Sequence, residues 1–259
     1  MLHYKTFVSD QTRPWVTFIH GAGGSSNIWF QQLKAFSAYF NVLLVDLRGH
    51  GGSKKVTPNL SQYTFSSVSK DVVEVLDYLK IEKTHFVGIS LGTIIIRELA
   101  EQYPNRVQSM VLGGAILKFN FQGQLLMKIG DWTKRFIPYI LLYRIFAFVI
   151  MPKRNHSASR NLFINEAKKL AQKEFLRWYK LTSSVNQVLK WYRSKDINIP
   201  TLYLMGNEDH MFLEPVKEII KIHKSATLHI IEPCGHVVNV DQPAIFNQEA
   251  IRFIQSIKA

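Results

Sequence analysis

The 259-residue sequence lacks several features that would assign it to a specialised class of protein. It has one cysteine, Cys234, which excludes an internal disulfide framework and fits a reducing compartment. Its first residues do not form a basic segment followed by an apolar one, so we expect no signal peptide and a cytoplasmic protein. It also lacks a Cys/His cluster with metal-ligand spacing and a glycine loop of the dinucleotide-binding or phosphate-binding type. We therefore expect no metal and no cofactor.

Long hydrophobic runs are scarce, and one of them needs to be tested as a membrane span. Residues 136–152 contain a single charge, but Arg144 lies near the centre of this run and Pro138 near its start. The run is at the short limit for crossing a bilayer, and a central arginine costs about 3 kcal/mol on insertion scales. We therefore expect a buried or groove-lining helix here.

Acidic residues are scarce in one part of the chain. Residues 116–195 contain 16 basic and 3 acidic residues, whereas the rest of the chain contains 16 of each, so the net charge of +13 belongs to this segment. Charge without a binding motif is weak evidence for a nucleic-acid partner, and we expect none. A cationic stripe at Lys169, Lys173, Arg177 and Lys180 could contact an anionic membrane or attract anionic substrates, although a solvated helix face explains it equally well.

Short β-branched runs alternate with helical patterns from about residue 15 onward. This alternation predicts an α/β fold with a mostly parallel central sheet and helices on both faces. The predicted strands are residues 15–20, 41–47, 84–89, 107–113, 201–205 and 226–231. Only helical patterns occur within residues 116–195, including an apolar stripe between Phe163 and Trp178. We predict a core of residues 1–115 and 196–259 with a helical cap, or lid, inserted at residues 116–195.

The segment Gly88-Ile89-Ser90-Leu91-Gly92 has the pattern G-x-S-x-G between a strand and a helix. That context is the one this pattern needs to form a nucleophile elbow, because the flanking glycines relieve crowding in a sharp turn. The turn lifts the serine hydroxyl clear of the sheet, and the following helix directs its N-terminal amides at charge developing near Ser90. Ser90 is therefore the candidate nucleophile.

Together with three further motifs, this segment gives the sequence a clear resemblance to the α/β-hydrolase superfamily, over essentially the whole chain. His20-Gly21-Ala22-Gly23-Gly24 resembles the H-G-x-G oxyanion loop of that family. Asp46-Leu47-Arg48-Gly49-His50-Gly51-Gly52-Ser53 resembles the D-x-R-G-x-G-x-S loop of its esterase and lipase-like branches, and Gly235-His236 resembles its catalytic histidine loop. The resemblance implies an α/β-hydrolase fold of the serine esterase or lipase-like branch.

A serine hydroxyl needs a base to remove its proton and a carboxylate to orient that base. The resemblance implies the chain order serine, acid, histidine. His236 follows the last predicted strand in a loop and is the candidate base. Asp209 follows the strand at residues 201–205, where the family carries its acid, with Glu208 as a competing, solvated neighbour. The backbone N–H groups of Ala22 and Leu91 are the implied oxyanion donors.

The resemblance implies a hydrolase of carboxylic esters that works through an acyl-enzyme on a small-molecule ester. The apolar run in the cap predicts a pocket for medium to long acyl chains, with Ile140, Arg144 and Phe148 as candidate substrate contacts. Packing of the cap onto the core explains the same run. A lactonase, a C–C bond hydrolase that holds a substrate carboxylate with an arginine, and a triad-bearing receptor for a small ligand remain open alternatives. The oligomeric state stays open.

Overall fold

A computed structural model describes residues 1–56, 63–134, 136–183 and 185–257 of the protein. Seven strands form one sheet in the order β1-β3-β2-β4-β5-β6-β7, with β1 antiparallel and the others parallel. The strands are β1 (Tyr4–Phe7), β2 (Trp15–Ile19), β3 (Asn41–Val45), β4 (Thr84–Ile89), β5 (Val107–Gly113), β6 (Thr201–Gly206) and β7 (Ala226–Ile231). The carboxyl ends of the six parallel strands therefore meet at one edge of the sheet, where ligands bind in open α/β folds.

Helices connect the strands and cover both faces of the sheet. They are α1 (Phe30–Ser37), α2 (Phe65–Tyr78), α3 (Leu91–Gln102), α4 (Phe121–Thr133), α5 (Tyr139–Ile150), α6 (Ser157–Ala167), α7 (Gln172–Ser183), α8 (Asn186–Ser194), α9 (Leu213–Ile219), α10 (Val238–Asp241) and α11 (Pro243–Ser256). Alternate residues of β3 enter two different cores, with Leu43 and Val45 on the side of α2 and α3, and Val42 and Leu44 on the side of α1 and α11. Burial on both faces explains why the central strands are apolar throughout.

The predicted α/β class with helices on both faces of a mostly parallel sheet is confirmed, and each of the six predicted strands exists with ends that shift by at most two residues. Strand β1 was not predicted. It has four residues, lies at the sheet edge and buries little of its surface. Its short sequence carries too weak an apolar alternation to be recognised.

Five helices, α4 to α8, lie between β5 and β6, and the described residues between 114 and 200 include no strand. This arrangement is compatible with the predicted cap, whose boundaries stay a prediction. The apolar stripe between Phe163 and Trp178 is divided between two helices, α6 and α7, because the chain turns between them. Phe163 of α6 and Phe175 of α7 both contact the ring of Tyr143. Among the described residues, no helix combines the length and apolarity that crossing a bilayer needs.

Candidate active site

Ser90 occupies a strained turn between β4 and α3. Its φ of 55° and ψ of −121° are rare for a residue with a side chain. The turn closes because Gly92 has no side chain, since a Cβ there would collide with the carbonyl oxygen of Ile19. A Cβ on Gly88 would likewise collide with the side chain of Ile96. The two glycines of the motif therefore have the steric role that their spacing predicts.

Ser90, His236 and Asp209 form a continuous hydrogen-bonded chain at the carboxyl edge of the sheet. The Oγ of Ser90 lies 2.9 Å from Nε2 of His236, and Nδ1 of His236 lies 2.8 Å from Oδ2 of Asp209. The side chains of Asp209 and His236 are 0% and 4% exposed. The second oxygen of Asp209 accepts the backbone N–H of Phe212 at 3.2 Å, so the carboxylate is held on both sides. The structure brings together the three residues selected from the sequence.

The loop that carries His236 is fixed by close backbone packing. The N–H of Gly235 donates to Oδ2 of Asp241 at 3.0 Å, and the ring of Phe212 lies 5.0 Å from the imidazole of His236. A Cβ on Gly206 would collide with the carbonyl oxygens of Cys234 and Gly235, so β6 needs a glycine where this loop crosses it. Burial raises the pKa of the Cys234 thiol, which keeps it a neutral core residue.

Two backbone N–H groups lie beside Ser90 and have no acceptor among the described residues. Ala22 and Leu91 both line the cavity that contains Ser90, and neither N–H donates a hydrogen bond within the described part of the chain. Leu91 is the first residue of α3, where N–H groups have no partner within the helix. Neither predicted donor is therefore engaged by an acceptor within the described part of the chain.

His20 and His50 hold the loops around the cavity. Nδ1 of His20 donates to the carbonyl of Gly21 at 2.7 Å while its Nε2 accepts the N–H of Leu47 at 3.0 Å. Nε2 of His50 accepts the N–H of Gly23 at 3.1 Å. Burial, followed by the nearby His20, lowers the pKa of His50 to about 3, so this ring stays neutral and serves as a scaffold.

The cavity above Ser90 has a volume of about 160 Å³ and an almost entirely apolar lining. Among the described residues, its lining includes one carboxylate, Glu166, and no lysine or arginine. Apart from the site residues, the lining is mainly aromatic and aliphatic, with Ile94, Ile116, Phe119, Met127, Tyr143, Phe146, Ile150, Leu162, Phe163, Phe175, Trp178, Tyr179, Val185 and Phe212. A groove beside α4 shares Phe119, Met127 and Thr182 with this cavity.

The three substrate contacts predicted on α5 do not reach the cavity. Arg144 and Phe148 are exposed, and Ile140 packs among other residues of the inserted helices. The cavity is lined instead by Tyr143, Phe146 and Ile150 of the same helix. This corrects the predicted face of α5, because the helix is rotated so that these three side chains point inward.

The inserted helices are fastened to the core by polar contacts that the sequence did not reveal. Glu208 accepts hydrogen bonds from Lys153, Asn155 and His156, each at 2.7 Å, so it is not the solvated neighbour that we expected. The hydrogen bonds from Lys153 and Asn155 lower the pKa of Glu208 to about 2. The hydroxyl of Ser25 donates to the buried Glu166 at 2.6 Å. No group of three or more potential metal ligands occurs in the described ranges.

The chain is similar to known proteins over nearly its whole length. Residues 14–243 match a family described as alpha/beta hydrolase fold. The chain is 26% identical to 3-oxoadipate enol-lactonase 2 of Acinetobacter baylyi, over 95% of this chain and 90% of that protein. It is 23% identical to epoxide hydrolase 1 of Caenorhabditis elegans, over 98% of this chain and 67% of that protein. The structure of a hydrolase from Oleispira antarctica matches with a TM-score of 0.84 and 20% identity, over 98% and 95% of the two chains.

Proposed function

Because this chain belongs to the α/β-hydrolase fold family and is a hydrolase, we propose that it cleaves carboxylic esters with Ser90 as its nucleophile. The observation that carries this proposal is the hydrogen-bonded chain from Ser90 through His236 to Asp209, at the base of an apolar cavity. An aspartate at position 90 would suit epoxide opening, so the serine there favours acyl transfer.

In the proposed reaction, Nε2 of His236 takes the proton of Ser90 while Oγ attacks the ester carbonyl. The N–H groups of Ala22 and Leu91 stabilise the oxyanion, and loss of one such donor typically costs about 3–4 kcal/mol in the transition state. His236 then returns the proton to the leaving alcohol, which gives an acyl-enzyme. Water then attacks the acyl-enzyme with His236 as its base, and His236 returns the proton to Oγ of Ser90 as the acid is released. Asp209 accepts Nδ1–H and so keeps Nε2 free to act as the base.

The cavity supports a neutral substrate with an apolar acyl chain. Aromatic and aliphatic side chains from α5, α6 and α7 cover Ser90, and a methylene group buried among them contributes about 0.8 kcal/mol. A substrate carboxylate would find no cation among the described lining residues, and it would meet Glu166. This argues against the C–C bond hydrolase alternative, since Arg144 is exposed and away from the cavity.

A lactonase acting on a neutral lactone is the second candidate. The similarity to an enol-lactonase favours it, and the same serine, histidine and N–H groups would open a cyclic ester. Rates measured on an uncharged lactone and on an open-chain ester with equal carbon number would separate the two activities.

A fluorophosphonate probe tests the nucleophile. We expect wild type to be labelled and Ser90→Ala to remain unlabelled, because the probe phosphonylates an activated serine. Ser256→Ala changes an exposed serine at the end of α11 and serves as the matched control, which should be labelled like wild type. Labelling that persists in Ser90→Ala would refute the assignment.

A series of p-nitrophenyl esters from two to twelve carbons tests the acyl pocket. We expect kcat/KM to rise with chain length toward about ten carbons as methylene groups become buried. Phe146→Ala should lower the ratio of decanoate to acetate kcat/KM by about five-fold or more, because Phe146 lines the cavity. Phe148→Ala, at an exposed position on the same helix, should leave the ratio unchanged. Efficient turnover of acetate with refusal of decanoate would contradict the long-chain pocket.

A further inference from the structure

Helix α4 presents a row of large apolar side chains to solvent. Phe121, Leu125, Ile129 and Trp132 follow one another at intervals of three or four residues, so they share one face of the helix. Phe121 and Trp132 are 81% and 80% exposed. Side chains of this size at solvent-facing helical positions are unusual when they form a continuous row rather than single sites.

Helix α5 also exposes large apolar side chains. Leu141, Ile145 and Phe148 are exposed at helical spacing, and Phe136, in the connection between the two helices, is 83% exposed. The inner faces of the two helices contact each other, because Gly130 of α4 packs close to the ring of Phe146. The two helices are therefore neighbours, and each presents an exposed apolar row. We call these eight exposed apolar residues, together with Lys128 and Arg144, the α4–α5 face.

The α4–α5 face is also cationic. Lys128 and Arg144 are exposed, and neither has a carboxylate within ion-pair distance among the described residues. Residues 116–195 contain three acidic side chains, and one of them, Asp131, is exposed and paired with Lys134. The other two, Glu166 and Glu174, are buried and pair with Lys169 and Arg177 of the cationic stripe found in the sequence. The stripe is thus partly neutralised, whereas the α4–α5 face keeps its charge.

We propose that the α4–α5 face docks on the surface of an anionic lipid bilayer. Aromatic and aliphatic side chains insert at the level of the headgroups, and the flanking cations pair with lipid phosphates. A second copy of this chain is a poorer occupant, because it would bring together two faces of the same positive charge. Docking would hold the groove beside α4, lined by Lys128, Trp132 and Phe136, against the lipid. That groove shares side chains with the cavity above Ser90.

Vesicle co-sedimentation tests this proposal, with phosphatidylcholine vesicles and with vesicles containing about 30% phosphatidylglycerol. We expect binding to the anionic vesicles that weakens with added salt. Phe121→Ser combined with Trp132→Ser should lower the partition coefficient about ten-fold or more, and Lys128→Glu combined with Arg144→Glu by a similar factor. Trp191→Ser and Lys190→Glu change an exposed tryptophan and an exposed lysine on α8 and are the matched controls, with changes below about two-fold.

Several results would overturn the proposal. One is absence of binding to anionic vesicles, and another is binding that is insensitive to salt and lipid charge. Equal losses in the Trp191→Ser control would show that the bound surface lies elsewhere. Sedimentation velocity without lipid supplies the remaining test, since a dimer that is lost in the Phe121→Ser, Trp132→Ser variant would assign the face to self-association. Circular dichroism of each variant ensures that the comparison is between folded proteins.

Discussion

His50 and His85 are buried histidines whose surroundings keep them neutral. Burial lowers the pKa of His50 to about 3 and that of His85 to about 4, and Nδ1 of His85 lies 2.7 Å from the hydroxyl of Ser109. In the unfolded chain both rings have a pKa near 6.5. As the pH falls below 6.5, the two rings therefore bind protons in the unfolded state but not in the folded state. Stability is fully present above pH 6.5 and is lost as the pH falls from there toward 3 to 4.

This difference predicts a marked acid sensitivity. At pH 5 each of the two histidines should cost about 2 kcal/mol of unfolding free energy relative to pH 7, at about 1.4 kcal/mol per pH unit. Urea unfolding at pH 7, 6 and 5 measures this loss. His50→Gln should remove about 2 kcal/mol of the loss in unfolding free energy between pH 7 and pH 5, because this ring no longer takes up a proton on unfolding. A pH dependence unchanged by His50→Gln would contradict the attribution.

The three residues of the candidate active site were also the most predictable from the sequence. Ser90, Asp209 and His236 follow strand ends, and parallel strands bring those ends to one edge regardless of their distance along the chain. Glu208 was misjudged for a physical reason. Its partners lie 52 to 55 residues away in the sequence, on the inserted segment, and no local pattern reports on that contact.

At the scale of elements, the contact between Glu208 and the inserted segment joins two parts of the molecule. The ring of His156 is 1% exposed, and its Nε2 depends on Glu208 as a partner. An unpaired buried polar atom costs about 1–3 kcal/mol. Glu208→Ala should therefore destabilise the protein by about that amount, measured by urea unfolding.

The matched control for this substitution is Glu214→Ala. Glu214 is 74% exposed and pairs with Lys217 one turn along a surface helix, so its removal should change stability by less than about 0.5 kcal/mol. Equal effects of the two substitutions would mean that the contact between Glu208 and His156 does not fasten the inserted segment.

The orientation of α5 could not be predicted from its sequence. Eleven of its twelve residues are apolar or aromatic, so the apolar residues form no stripe that would distinguish an inner face from an outer one. Tyr143, Phe146 and Ile150 face the cavity because α5 packs against α4, α6 and α7. These contacts are present only in the folded chain. Helices α2 and α11, by contrast, each bury one apolar face, which includes Val68, Val72 and Leu76 in α2 and Phe246, Ala250 and Ile254 in α11.

At the scale of the whole molecule, the long-range field attracts anions, whereas the cavity disfavours them. The net charge of +13 attracts anions to the surface. The cavity has no cation among its described lining residues and contains Glu166. Burial without a partner is a short-range cost of several kcal/mol for a carboxylate, and it outweighs a surface field that salt screens.

This contrast predicts the response to substrate charge. For p-nitrophenyl valerate and the matched mono-p-nitrophenyl glutarate, we expect kcat/KM to be about 100-fold lower for the charged ester, which corresponds to about 3 kcal/mol. Steady-state rates at low and moderate salt measure the ratio. Comparable rates for the two esters would show that a cation reaches the cavity in the working protein.

The same lining bears on the end of the catalytic cycle. Cleavage of a neutral ester leaves an acid that ionises near pH 4, so at pH 7 the product carries a negative charge that its parent did not. A cavity that is apolar apart from Glu166 retains such an anion poorly. In the proposed reaction, hydrolysis therefore converts a neutral ester that binds well in the cavity into an anionic acid that binds poorly. Product inhibition by the released acid should accordingly be weak, because the anionic product dissociates readily from the cavity after each turnover.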